Sequence, residues 1–157
     1  MSENSILALL GLGVGTLLLS GLVLYILYVV AMFMIFSKAG VAGWKSIIPF
    51  YNVYTQFKFT WNTKMFWIFI GLSFLSGIMS SLGNEDSGST VFKLLGALCS
   101  LAVTVIYILE SYMLARAFGH GIPFTLGLIF FYNIFTLILG FGSSTYRGNP
   151  STPSGSF

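Results

Sequence analysis

Glu110 is the one acidic residue lying well inside an apolar stretch of this 157-residue chain. Small and hydroxyl residues step up to it at intervals of four, as Gly96, Ser100 and Thr104. Tyr107, Glu110 and Ser111 then continue on nearly the same helical face. A carboxyl group in hydrocarbon is costly, and where one occurs it commonly serves a proton relay or a cation pathway. The small and hydroxyl residues around it suit close packing against other helices. Two roles for Glu110 follow: it handles a proton or cation, or it pairs structurally with a cytoplasmic-side lysine or a tyrosine hydroxyl. Its own helix carries no base three or four residues away. Asn52 and Asn133 are the other polar candidates, since an amide in hydrocarbon must find hydrogen-bond partners. They either line a small polar site or clamp helices together. The candidate site is therefore Glu110, Asn52, Asn133, Tyr107 and Thr104.

The two asparagines occupy the same place in an internal repeat. Ile48-Pro49-Phe50-Tyr51-Asn52-Val53-Tyr54-Thr55 returns as Ile129-Phe130-Phe131-Tyr132-Asn133-Ile134-Phe135-Thr136, with five identities. Upstream, Tyr25-Ile26-Leu27 leads to Phe36 and Gly40-Val41, as Tyr107-Ile108-Leu109 leads to Phe118 and Gly121-Ile122. Such repeats set architecture and, in membrane proteins, often frame a central site. The two units are expected to run parallel, related by an axis along the membrane normal.

Residues for enzymatic chemistry are sparse. His120 is the single histidine and Cys99 the single cysteine, which with scattered acids build no metal centre. His120 sits in a Gly-His-Gly turn, and Cys99 reads as a small core residue. No phosphate-cradling glycine loop with its lysine is present. Ser87 or Ser89 with Lys93 would make a serine–lysine pair only if the lysine were buried, and that loop is acidic and wet. The chain is expected to be no enzyme, with no catalytic residue, metal or cofactor.

The elements that position these residues are membrane helices. Hydrophobic residues make up 56% of the chain and charged residues 7%, against about 25% charged in a soluble domain, so the chain cannot cover a water-facing surface. About 20 apolar residues cross the hydrocarbon core. Four stretches meet this, at about 6–36, 65–82, 94–115 and 123–142, giving an all-α bundle in a single membrane domain, 1–146. Gly11-Gly15, Ser73-Gly77 and Gly77-Ser81 are weak packing signals within it. Lys38, Lys45, Lys58 and Lys64 lie between the first two spans, with Arg116 and His120 at the third turn. Glu85 and Asp86 lie on the opposite side. Positive residues stay cytoplasmic, so an N-out, C-out arrangement is expected. The segment 44–60 interleaves aromatic and basic residues and suits an interfacial helix, anchored by Trp44, Lys45, Tyr51, Lys58 and Trp61. Residues 147–157, rich in Ser, Pro and Gly, are expected to form a disordered tail.

Three phrases resemble an uncharacterised family of small bacterial multi-helix membrane proteins, some members of which are fused ahead of a signal peptidase I. They are Gly43-Trp44-Lys45-Ser46-Ile47-Ile48-Pro49-Phe50-Tyr51-Asn52-Val53-Tyr54, Leu114-Ala115-Arg116-Ala117-Phe118-Gly119, and Gly127-Leu128-Ile129-Phe130 followed by Ile138-Leu139-Gly140-Phe141-Gly142. The resemblance implies a bacterial cytoplasmic membrane and no reaction. The expected function is an accessory or interaction protein of a membrane complex, touching the bilayer and another membrane protein or a second copy. The alternative is a small transporter or channel using Glu110 and the paired asparagines. Seven Lys and Arg spread over loops make no nucleic-acid footprint.

Overall fold

The computed structural model describes residues 3–83 and 89–152, and side chains from residue 11 onward except that of residue 89. Every regular element among them is helical. They are α1 (Glu3–Lys38), a 3-10 turn (Gly43–Ser46), α2 (Pro49–Thr60), α3 (Thr63–Leu82), α4 (Ser89–Ala117), α5 (Ile122–Phe130) and α6 (Tyr132–Phe141). Three stretches are long and apolar enough to cross a membrane: Gly11–Lys38, Thr63–Leu82 and Thr90–Ala117. The acidic residues Glu85 and Asp86 lie outside the described residues.

The expected fourth span, 123–142, is two short helices. Phe131 takes ψ 49° where a helix needs about −42°, and this one residue turns the chain back on itself. The ends then meet. His120 Nε2 lies 2.7 Å from Ser144 Oγ, and the Arg147 amide donates to the Ala117 carbonyl at 2.7 Å. A straight helix of that length would hold its ends about 30 Å apart. Phe124 and Phe135 pack edge to face across the hairpin with centroids 5.1 Å apart. A Cβ on Gly127 would collide with the Phe135 ring, so the close approach of the two arms depends on glycine there. The break leaves carbonyls of α5 without helical partners, and the Tyr107 hydroxyl donates to that of Leu128 at 3.4 Å. Lys38 Nζ closes the far end of α6, donating to the carbonyls of Leu139 and Gly142 at 2.7 Å each. A cation at a helix C-terminus also complements the helix dipole.

The first copy of the repeat dips in the same way. After Lys38 the chain folds back along α1, and Ser46 Oγ reaches the Val29 carbonyl at 3.3 Å. Nine residues of helix put Val29 about 13 Å below Lys38. Pro49 then opens α2 at its first turn, where a missing N–H costs nothing. By Phe59 the chain is back beside Phe36, with ring centroids 5.4 Å apart. The repeated Phe-Tyr-Asn phrase thus marks the turn of each hairpin. α1 and α4 both end on the hairpin side, so the units run in the same direction, and α3 joins them. The returning helix of each unit leans on the long helix of the other, α6 on α1 and α2 on α4.

Two expectations change accordingly. The segment 44–60 is a 3-10 turn followed by an α-helix only from Pro49, and the Asn52, Thr55, Gln56, Phe59 and Thr60 face of that helix is buried in the bundle. The tail is also ordered over 147–152, while 153–157 lie outside the described residues. Tyr146 Oη donates to the Phe59 carbonyl at 2.7 Å, and Asn149 Nδ2 and Ser151 Oγ donate to that of Trp61 at 2.7 and 2.8 Å. Burial pushes the Tyr146 phenol up, which keeps it a donor. The chain therefore leaves the bundle on the face carrying the Lys-rich segment, opposite to where α1 begins. The expected N-out, C-out arrangement took 123–142 as one full crossing, and these residues form two short helices instead.

Candidate polar site in the bundle

Glu110 lies on α4 where α2 crosses it, 4% exposed. Its partner is neither a lysine nor a tyrosine. Gln56 Nε2 donates to Glu110 Oε1 at 2.6 Å, and Gln56 Oε1 accepts from Tyr132 Oη at 3.1 Å. This amide orientation is the one that gives each neighbour a complementary partner, since an ionised carboxylate can only accept. A chain of hydrogen bonds thus runs from α6 through α2 to α4. Among the described residues no Lys, Arg or His nitrogen lies within 4.0 Å of the carboxylate. Ser111, fully buried beside Glu110 in sequence, bonds back to the Tyr107 carbonyl at 2.9 Å.

A cavity of about 220 Å³ borders the network. Tyr28, Tyr107 and Tyr132 form one side of it, with Tyr132 flanked by the others at ring distances of 6.4 and 6.2 Å. Phe57 and Phe69 contribute apolar walls. The site lies at the level of the hairpin turns, since Tyr132 opens α6 and Tyr28 neighbours Val29.

The other candidates divide. Tyr107 lines the cavity. Asn52 is buried, donates from Nδ2 to the Ser46 carbonyl at 3.2 Å, and leaves Oδ1 without a partner. Asn133 is exposed, in a separate pocket with Gly21 and Tyr25. The two amides do not converge: Asn52 bonds within its own hairpin, whereas Asn133 faces α1. Thr104 is exposed and bonds to the Ser100 carbonyl at 2.9 Å, away from the cavity. Lys45 stands 5.6 Å over the Tyr51 ring, and both line a groove with Lys58. Trp44 is exposed, and the Trp61 carbonyl holds the tail. Sequence reasoning missed Gln56, whose signal was its spacing: Asn52, Thr55, Gln56 and Thr60 form a polar stripe on an otherwise aromatic helix.

Residues 44–149 match the model of a family of unknown function, DUF5684. The chain belongs to this family. The matched range takes in α2, the whole second hairpin, Gln56, Glu110 and Tyr132, so the hydrogen-bond chain falls wholly within the DUF5684 region. No curated protein and no solved structure matches the chain.

Proposed function

We propose that this DUF5684 protein is a non-enzymatic, multi-pass membrane protein that binds a small solute beside Glu110 and passes it across the bilayer. The observation that carries this is a buried carboxyl group, without a basic partner among the described residues, opening on a cavity at the level of two hairpin turns. Intramembrane ionisable groups of this kind mark substrate and ion pathways. Irregular backbone at membrane depth is tolerated where it is buried in protein or lines a cavity. In place of four full crossings, this reading has three and a pair of re-entrant hairpins, with the Lys-rich end cytoplasmic by the positive-inside rule. The N-terminus then lies outside and the tail inside. The resemblance to small bacterial proteins supports a bacterial cytoplasmic membrane as the location. Purified protein in liposomes is expected to conduct or exchange small cations, with flux abolished in Glu110→Gln. Flux unchanged in that variant, or absent under every imposed gradient, sinks the transport role.

An interaction role has one observation of its own. A Cβ placed on Gly11, Gly13, Gly15 or Gly21 would meet no packed neighbour within 4 Å among the described residues, so this part of α1 is open to a second helix. Small residues let helices approach closely in membranes, and this favours self-association or a membrane-protein partner along α1.

A further inference from the structure

We propose that the occupant of the Glu110 cavity is an organic ammonium ion, held by the carboxylate and by the aromatic rings around it. The assignment rests on the transport role only for its consequences; the binding itself follows from the walls. A buried carboxyl group without a basic partner avoids an unpaired charge by taking up either a proton or a cation, and a cavity at its side gives room for the cation. The Gln56 amide already occupies Oε1, so the ligand meets the rest of the carboxyl group from the cavity side. An anion is disfavoured by the same charge.

The kind of cation follows from the remaining walls. Calcium and magnesium require about six or more oxygen ligands, and here one carboxylate is surrounded by Tyr28, Tyr107, Tyr132, Phe57 and Phe69. Aromatic faces attract cations whose charge is spread over an apolar envelope, the basis of methylammonium-binding cages. The cavity, about 220 Å³, exceeds the ~150 Å³ that admits benzene in an engineered protein core, so a tetraalkylammonium head fits. The rings are also held in place. Tyr132 is fixed through its hydroxyl to Gln56, and Tyr107 through its hydroxyl to the Leu128 carbonyl.

The test uses the full chain in detergent micelles, with radiolabelled tetramethylammonium and choline as probes. 3,3-Dimethylbutan-1-ol, the uncharged carbon counterpart of choline, is the competitor. Choline and tetramethylammonium are expected to compete with each other and the alcohol to fail. Glu110→Gln, which keeps an acceptor for Gln56, should weaken binding at least about tenfold. Tyr107→Leu should weaken it about threefold to tenfold, the size of one cation–aromatic contact. Tyr107→Phe should weaken it less than Tyr107→Leu. Equal competition by the alcohol in the unmutated protein overturns the proposal without relying on any variant's folding. So does undiminished choline binding in Glu110→Gln. Binding with this pattern but no flux in liposomes leaves the ammonium site standing and removes the transport role. Flux of inorganic cations through a protein that binds neither probe does the reverse.

Discussion

The contact between Gln56 and Glu110 is open to a double-mutant cycle. Gln56→Leu removes the donor 2.6 Å from Glu110 Oε1 and the acceptor for Tyr132 Oη. Both residues are about 95% buried. A hydrogen bond to a charged group contributes about 1.5–3 kcal/mol in soluble proteins. Between membrane helices the average falls to about 0.6 and the maximum to about 1.7, because separated helices find other partners. With no basic partner within 4.0 Å among the described residues, Glu110 belongs near the top of the membrane range, and a coupling of about 1.5 kcal/mol is expected. Gln56→Leu alone should cost about 2–3 kcal/mol, the excess coming from the orphaned Tyr132 hydroxyl. Gln56→Leu with Glu110→Leu should then cost about 1.5 kcal/mol less than the two single changes added together. Unfolding in mixed micelles of mild and denaturing detergent measures all four proteins. Additivity within about 0.3 kcal/mol, the behaviour of independent sites, would falsify the hydrogen-bond chain from α6 to α4.

Two further perturbations probe the frame. Gly140→Ala puts a Cβ 2.7 Å from the Ala31 carbonyl oxygen and 2.8 Å from its Cα; backbone cannot yield, so about 1–3 kcal/mol of destabilisation is expected. Gly13→Ala meets nothing within 4 Å and should leave the same detergent-unfolding midpoint unchanged or slightly raised, since Ala is the better helix former. Equal effects in the two variants refute the close packing of α6 on α1. Sidedness is read by cysteine labelling in a Cys99→Ser background. Ser151→Cys and Lys58→Cys should react with an impermeant maleimide from the same side of sealed vesicles, and Ser81→Cys from the other. Reaction of Ser151→Cys together with Ser81→Cys refutes the hairpin.

Much of this was legible from residue types alone. Hydropathy is additive along the chain, so the helices at 6–36, 65–82 and 94–115 were visible and needed only lengthening to Glu3–Lys38, Thr63–Leu82 and Ser89–Ala117. The repeat was visible as text. Its meaning was not, because apolar content cannot tell one twenty-residue crossing from two ten-residue arms. The break at Phe131 carries neither glycine nor proline; it is held by tertiary contacts, with Lys38, Tyr107 and Ser144 bonding to groups far along the chain. Glu110 was identifiable by rarity. Gln56 was hidden by its aromatic and basic neighbours, which suggested a helix lying in the interface, whereas its polar face turns into the bundle.

The repeat also bears on whether Glu110 serves architecture or chemistry. Continuing the upstream match by one residue aligns Tyr28 with Glu110, and the downstream match aligns Gln56 with Leu137. Around one cavity, Tyr107 and Glu110 of α4 meet Val53 and Gln56 of α2. Around the other, Tyr25 and Tyr28 of α1 meet Ile134 and Leu137 of α6. These are the same four positions in the two units, so the fold creates two equivalent crevices and fills them differently. The carboxyl and its amide are present together in one and absent together in the other, as expected where a buried carboxyl without its donor is strongly unfavourable. A clamp needed to hold a returning helix on a long one would be needed twice. The α1–α6 crossing is made by apolar and small residues, Gly140 against Ala31 among them, with Lys38 bonding to the carbonyls at the end of α6, and requires no buried acid. The polar pair at the α2–α4 crossing therefore goes beyond what the packing of the other unit requires, which is the pattern the proposed ammonium site calls for.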